Sequence, residues 1–169
     1  MLVRRYSAPA LGLCLGALLA VGPALSARAQ LLDHKDLSLA TALAIATTAA
    51  DTCKAQGNRV SVTVVGRDGQ VIVVLRGDNA SPHTVENSRR KAYTARTFRI
   101  SSGDFAKRVK DNPTTGLVHL SGVIAAQGAL PIKVGDDVVG AVGVSGSPGG
   151  DKDEVCAKAG LDKVAAELK

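Results

Sequence analysis

The chain has 169 residues, with 21 Lys and Arg against 15 Asp and Glu. Three of the cations, Arg4, Arg5 and Arg28, fall within the first 29 residues, where no acid occurs, so the rest carries a net charge of only +3. That balance is no footprint for nucleic acid and only a mild bias towards anionic ligands. With aromatics at 2% and no Trp, the core has to be built from Val, Leu, Ile and Ala.

Arg4-Arg5, an apolar run from Leu11 to Val21 and then Ala27-Arg28-Ala29 follow the positive, apolar, small-residue order of a secretory signal peptide. We expect cleavage after Ala29, leaving residues 30–169 as one domain in the periplasm or outside the cell. The apolar run is short for a membrane span and nothing later is longer, so no stable span is expected after cleavage. Cys14 lies inside the run, which argues against a lipid-attached cysteine.

Ser38 can cap a helix that runs to about Gln56, where Gly57 stops it. Leu39, Leu43, Ala46, Ala50 and Cys53 share one face and are expected inside. Residues 60–65 (VSVTVV) and 71–75 (VIVVL) flank an Asp-Gly turn and predict a β-hairpin. The second run is apolar throughout, so both its faces are expected to be covered.

The stretch from Arg76 to Arg99 organises the chain. It turns at Gly77-Asp78-Asn79 and enters a helix at Ser81-Pro82, a cap residue followed by a residue suited to the first helical position. Val85, Ser88, Ala92 and Ala95 make one small face, able to lie close to a sheet. On the other side His83, Asn87, Arg90 and Thr94 form a polar row with Lys91 at its edge. Such a row is either solvated surface or a ligand site.

Ser101-Ser102-Gly103-Asp104 breaks that helix and caps a short one to about Lys110, which Asn112-Pro113 ends. Residues 114–126 do not resolve between strand and helical turn, and His119 within them reads as an ordinary partly buried histidine. A second hairpin pairs residues 132–134 with 138–144, where Gly140 and Gly143 predict close backbone approach by a neighbour. After the loop SGSPGG, Asp151-Lys152-Asp153-Glu154 opens a final helix with acids suited to its dipole. Its inward residues are expected to be Ala157, Gly160, Val164 and Leu168. Hairpins alternating with helices give an α+β class: a single domain with an antiparallel sheet flanked by helices.

Cys53 falls in the last turn of the first helix and Cys156 in the first turn of the last. An exported protein meets an oxidising compartment, so the two can form a disulfide if those helices are antiparallel neighbours; two separate buried thiols are the alternative.

No Walker, GxSxG, HExxH or GxGxxG motif is present. SGSPGG before a helix has the look of a phosphate loop, yet Asp151, Asp153 and Glu154 would repel a phosphate. Three His are too few for an obvious metal cage. Haem suits the inventory better, since it needs an apolar surface, cations for its propionates and one or two axial groups. His83 is the best axial, metal-ligating candidate, while Arg90 and Lys91 could pair with propionates. Met1 is the only methionine, which excludes a Met-ligated site after cleavage.

Four stretches then carry a family resemblance: RVSVTVVGRDGQVIVVLRGDNA, SRRKAYTARTF, QGALPIKVGDDVVGAVGVSG and DKDEVCAKAG. They include Lys91-Ala92-Tyr93-Thr94-Ala95 and Gly143-Val144-Ser145-Gly146 followed by Asp153-Glu154, and they span nearly all of residues 30–169 in order. With them the chain resembles the GlcG-like or HbpS-like extracellular haem-binding proteins, which include the C-terminal domain of PduO-type proteins. The resemblance implies a profilin-like sandwich around an antiparallel, about five-stranded sheet, and homo-oligomers up to octamers. It also implies haem as ligand, a redox- or haem-sensing accessory role, and a membrane sensor or transporter as partner. Carried onto this chain, Thr94 and its helix neighbours mark the haem-contact region; the axial role of His83 comes from the residue itself. Two other functions stay open at this point: an accessory factor or enzyme binding a small organic acid, and a ligand-free oligomeric interaction domain.

Overall fold

Nine elements follow one another in the computed structural model, which describes residues 30–169. The predicted signal peptide, residues 1–29, lies outside the described residues. Helix α1 (Leu39–Ala55) is capped by the Ser38 hydroxyl, which accepts from the Thr41 amide. Strands β1 (Ser61–Val65) and β2 (Val71–Arg76) form the first hairpin; α2 (His83–Phe98) and α3 (Ser102–Asp111) follow. A 3-10 helix (Gly116–His119), the hairpin β3 (Ala129–Val134) and β4 (Asp137–Ser145), and α4 (Gly150–Lys163) complete the chain. Residues His34–Lys169 make one compact unit. No helix among the described residues is long and apolar enough to cross a membrane.

The fold class is as the sequence predicts: one antiparallel sheet with helices on it. Among the described residues the sheet has four strands rather than about five, in the order β2-β1-β4-β3. Residues 114–126, which the sequence leaves between strand and helical turn, form the 3-10 helix and turns.

Side chains along a strand alternate between faces, and the two faces here are built differently. Val62 and Val64 of β1 and Val142 and Val144 of β4 pack under α1 and α4, in a core of Val, Ala and Ile. Ser61, Thr63, Ala141 and Gly143 turn the other way, towards α2. There a small apolar cluster of Val65, Ala92, Ala95, Ala129 and Ala141 sits beside two buried hydroxyl pairs, Ser61 Oγ with Thr84 Oγ1 at 2.7 Å and Thr63 Oγ1 with Ser88 Oγ at 2.8 Å. Burying hydroxyls is tolerable only when each has a partner, and these pairs provide it.

Gly140 and Gly143 do mark close approaches. A Cβ on Gly143 would overlap the Ser88 carbonyl oxygen and the Ala92 amide nitrogen, and one on Gly140 would meet the Val65 carbonyl oxygen and Leu37. Gly143→Ala should therefore force α2 off the sheet. Overpacking of this kind costs about 1–3 kcal/mol, and a thermal melt of the variant should show a lowered midpoint. An unshifted melt would mean that α2 yields freely.

Two expectations about facing and one about a helix boundary are corrected. In α1 the buried side is Ala42, Ile45, Ala46, Ala49 and Cys53, whereas Leu39 and Leu43 are 59% and 40% exposed. The physical reason is helix proximity. Gly160 of α4 sits so near the Ile45 carbonyl that a Cβ there would clash, and the α1 side turned to the core is mostly alanine, with Ile45 and Cys53. Strand β2, predicted to be covered on both faces, is an edge strand with Val71 and Val74 exposed, while β1 is buried throughout. In α4 the regular helix ends at Lys163, and Leu168 packs from the turn beyond it.

Cys53 and Cys156 join α1 to α4 as a disulfide, with Sγ atoms 2.08 Å and Cα atoms 5.6 Å apart. On the exposed side, Arg67 hydrogen-bonds the Lys35 carbonyl and Asp137, tying the lead-in segment to the start of β4. That bond holds the Asp137 carboxyl below the usual carboxylate range.

Candidate functional site

The N-terminal half of α2 faces the loop that leaves β4. Pro82 already has helical angles (φ −55°, ψ −37°), and the Thr84 amide closes the first turn onto the Ser81 carbonyl. The loop at residues 145–150 is held on the other side by two bonds. Asn87 Nδ2 donates to Ser145 Oγ at 2.9 Å, and the Ser147 amide donates to Asp153 Oδ1 at 3.0 Å. Ala126 and Gln127 form a third wall, where Gln127 Nε2 donates to Glu154. Together they bound a cleft of about 470 Å3.

The floor of this cleft is an ion pair. Lys91 Nζ lies 2.8 Å from Asp153 Oδ2, their side chains 5% and 3% exposed, and Nζ also donates to the Val144 carbonyl at 3.0 Å. Gly128 makes room for it: a Cβ there would come within 2.8 Å of both Lys91 Nζ and Asp153 Cβ. Its φ of +129° is also one that residues with a Cβ rarely adopt.

The predicted site residues thus separate into two groups. His83 and Asn87 line the cleft, with His83 exposed at its mouth and Asn87 half-buried. Lys91 lines it from below, but its charge is already balanced by Asp153. Thr94 is fully buried; it donates to the Arg90 carbonyl and accepts from the Ile124 amide at 2.9 Å. Arg90 reaches the Val123 carbonyl at 2.6 Å. The polar row is therefore open over its first turn and covered over its second by residues 123–124. His34 sits beside Asp36 in the lead-in, and His119 is exposed on the 3-10 helix.

Asp153, Ser145 and Gln127 were not among the predicted site residues. Asp153 reads from sequence as an acid serving the helix dipole and repelling anions, but the structure shows its charge neutralised by Lys91. A lysine beside the small face of α2 was the available signal, because a buried cation requires a partner. Chemically the cleft offers an imidazole at the rim, amide donors on the walls and a paired, dry floor. Among the described residues no group of three or more His, Cys, Asp or Glu is placed to hold a metal ion.

Comparison with known proteins bears on what such a cleft serves. The family model described as haem degrading protein HbpS-like matches residues 37–162. Protein GlcG of Escherichia coli is 31% identical over 109 residues, 63% of this chain and 81% of that protein. A crystal structure of HbpS matches with a TM-score of 0.75 at 36% identity, covering 84% of this chain and 98% of that one. A crystal structure of a PduOC–heme complex shares the fold, with a TM-score of 0.69 at 22% identity over 75% of this chain and 94% of the other.

Proposed function

We propose, from the premise that the chain belongs to the HbpS-like family, that it is an exported haem-binding protein. Its work would be haem scavenging, carriage or redox sensing on behalf of a membrane sensor or transporter. The family supports the ligand class, and the related fold of PduOC holds heme in that protein's own complex. The single observation that carries the reading onto this chain is His83. Its imidazole stands exposed at the mouth of the cleft, hydrogen-bonded to no other described side chain, and histidine is a common protein ligand of haem iron.

The residues of the cleft fit a haem at the iron. His83 would supply the axial nitrogen and Asn87 a hydrogen bond beside it. Arg90 does not line the cleft and its guanidinium is held by the Val123 carbonyl, so the propionate role expected of it is not met here. Lys91 and Thr94 would act by holding α2 in place. The apolar part of the cleft wall is small, Ala126 and Pro148, so cover for the porphyrin face is assigned to a second copy in a homo-oligomer. When bound, the iron would add one-electron chemistry that the chain's own side chains lack.

Haemin titration of residues 30–169 should produce a Soret band with saturable binding. His83→Ala should shift the band and weaken binding at least tenfold, on the order of 1.4 kcal/mol. An unchanged band and affinity would remove the axial role, and no band with the parent protein would remove haem. Export has its own check: protein recovered from the native host should begin at Gln30.

A further inference from the structure

We propose a second ligand site, for a medium-chain monocarboxylic acid, in a cleft of about 490 Å3 between the C-terminal turns of α1 and the ends of β1 and β2. It shares no lining residue with the cleft at His83, and it does not rest on the haem reading. Its size lies within the usual range for small-molecule pockets, roughly 300–1,000 Å3, and its lining sets a small apolar patch among charged and polar residues.

Ala50, Val60 and Leu75 supply the apolar floor. Lys54, Arg59 and Arg76 bring three cations to its rim. Lys54 and Arg59 are exposed and make no ion pair among the described residues, and Arg76 donates to the Ala80 carbonyl at 2.6 Å rather than to an acid. The cleft also contains Asp51 and Asp78, so its formal balance is a single positive charge. That balance suits one carboxylate and disfavours two. An alkyl chain would lie on the floor with its carboxylate among the cations, where a guanidinium can bind both oxygens.

The walls are preformed. The Gly77 amide donates to the Val60 carbonyl at 2.9 Å, locking the strand ends together. The Asn58 amide donates to the Cys53 carbonyl at 2.9 Å, so the turn that closes the cleft hangs from a disulfide-bonded residue. A ligand entering such a site has little loop ordering to oppose it.

Calorimetric titration with octanoate, acetate, octylammonium, 1-octanol and the dicarboxylate suberate tests this on residues 30–169. Octanoate should bind saturably, and each of the other four at least tenfold more weakly. The double variant Lys54→Gln/Arg59→Gln, at two exposed positions, should keep the parent melting temperature and lose octanoate affinity at least tenfold. His83→Ala should leave octanoate binding unchanged. Octanoate that fails to bind, that is matched by octanol or acetate, or that binds the double variant as well as the parent overturns the proposal. Loss of haemin binding alone would leave it intact.

Discussion

Lys91→Met should destabilise the protein by about 3–5 kcal/mol, the cost of leaving one member of a buried ion pair behind. Asp153 would keep a single donor, the Ser147 amide, in a position where its carboxylate is shielded from water. The consequence reaches the site as well as the stability. Without Lys91, the hydrogen bonds from α2 to the Val144 carbonyl and to the first turn of α4 are lost, and the loop at residues 145–150 is left with the Asn87–Ser145 and Ser147–Asp153 bonds. Urea unfolding of the parent, Lys91→Met, Asp153→Leu and the double variant forms a thermodynamic cycle. The double variant should recover most of the loss, since apolar replacement of a whole buried pair is often neutral or better. A single variant within about 1 kcal/mol of the parent, in the range of an exposed pair, would show that the pair is solvated in solution.

The second large effect belongs to the disulfide. Cys53 and Cys156 are separated by 103 residues, and in the chain-entropy account a loop of about 100 residues is worth about 4.7 kcal/mol. Replacing both cysteines by alanine should lower stability by about 2–5 kcal/mol. Guanidinium unfolding with and without reductant provides the internal control. The parent midpoint should fall on reduction to near that of the Cys53→Ala/Cys156→Ala variant, and the variant itself should be insensitive. Equal midpoints for oxidised parent and variant would show that the bond adds nothing to the fold.

Much of the architecture follows from short-range chemistry. Gly69 closes the first hairpin because its φ of +77° suits glycine and its amide donates to the Gly66 carbonyl, and Ser38 and Ser101 start helices because their hydroxyls accept from free amides. Gly143 announces a helix pressed on the strand because no other residue leaves that space. Where local pattern failed, the missing information was the neighbour. Leu39 and Leu43 have the spacing of a buried face, yet α1 turns Ala42, Ile45, Ala46 and Ala49 to the core instead. The apolar run of β2 resembles a central strand, but topology places it at the edge.

The candidate site divides along the same line. Composition and spacing by themselves determined an α+β chain, an amphipathic α2 and the polar row that starts at His83, because these depend on residues within a turn or two of each other; Cys156, expected in the first turn of the last helix, lies in the middle of α4. Only tertiary structure decided which part of the row stays open. Residues 123–124, without regular secondary structure, cover Arg90 and Thr94, and Asp153, distant in sequence, takes up the charge of Lys91. Both are long-range pairings in which a polar group finds its partner across the fold. No periodicity encodes that choice, because it is made by whichever segment the completed sheet brings within hydrogen-bond reach.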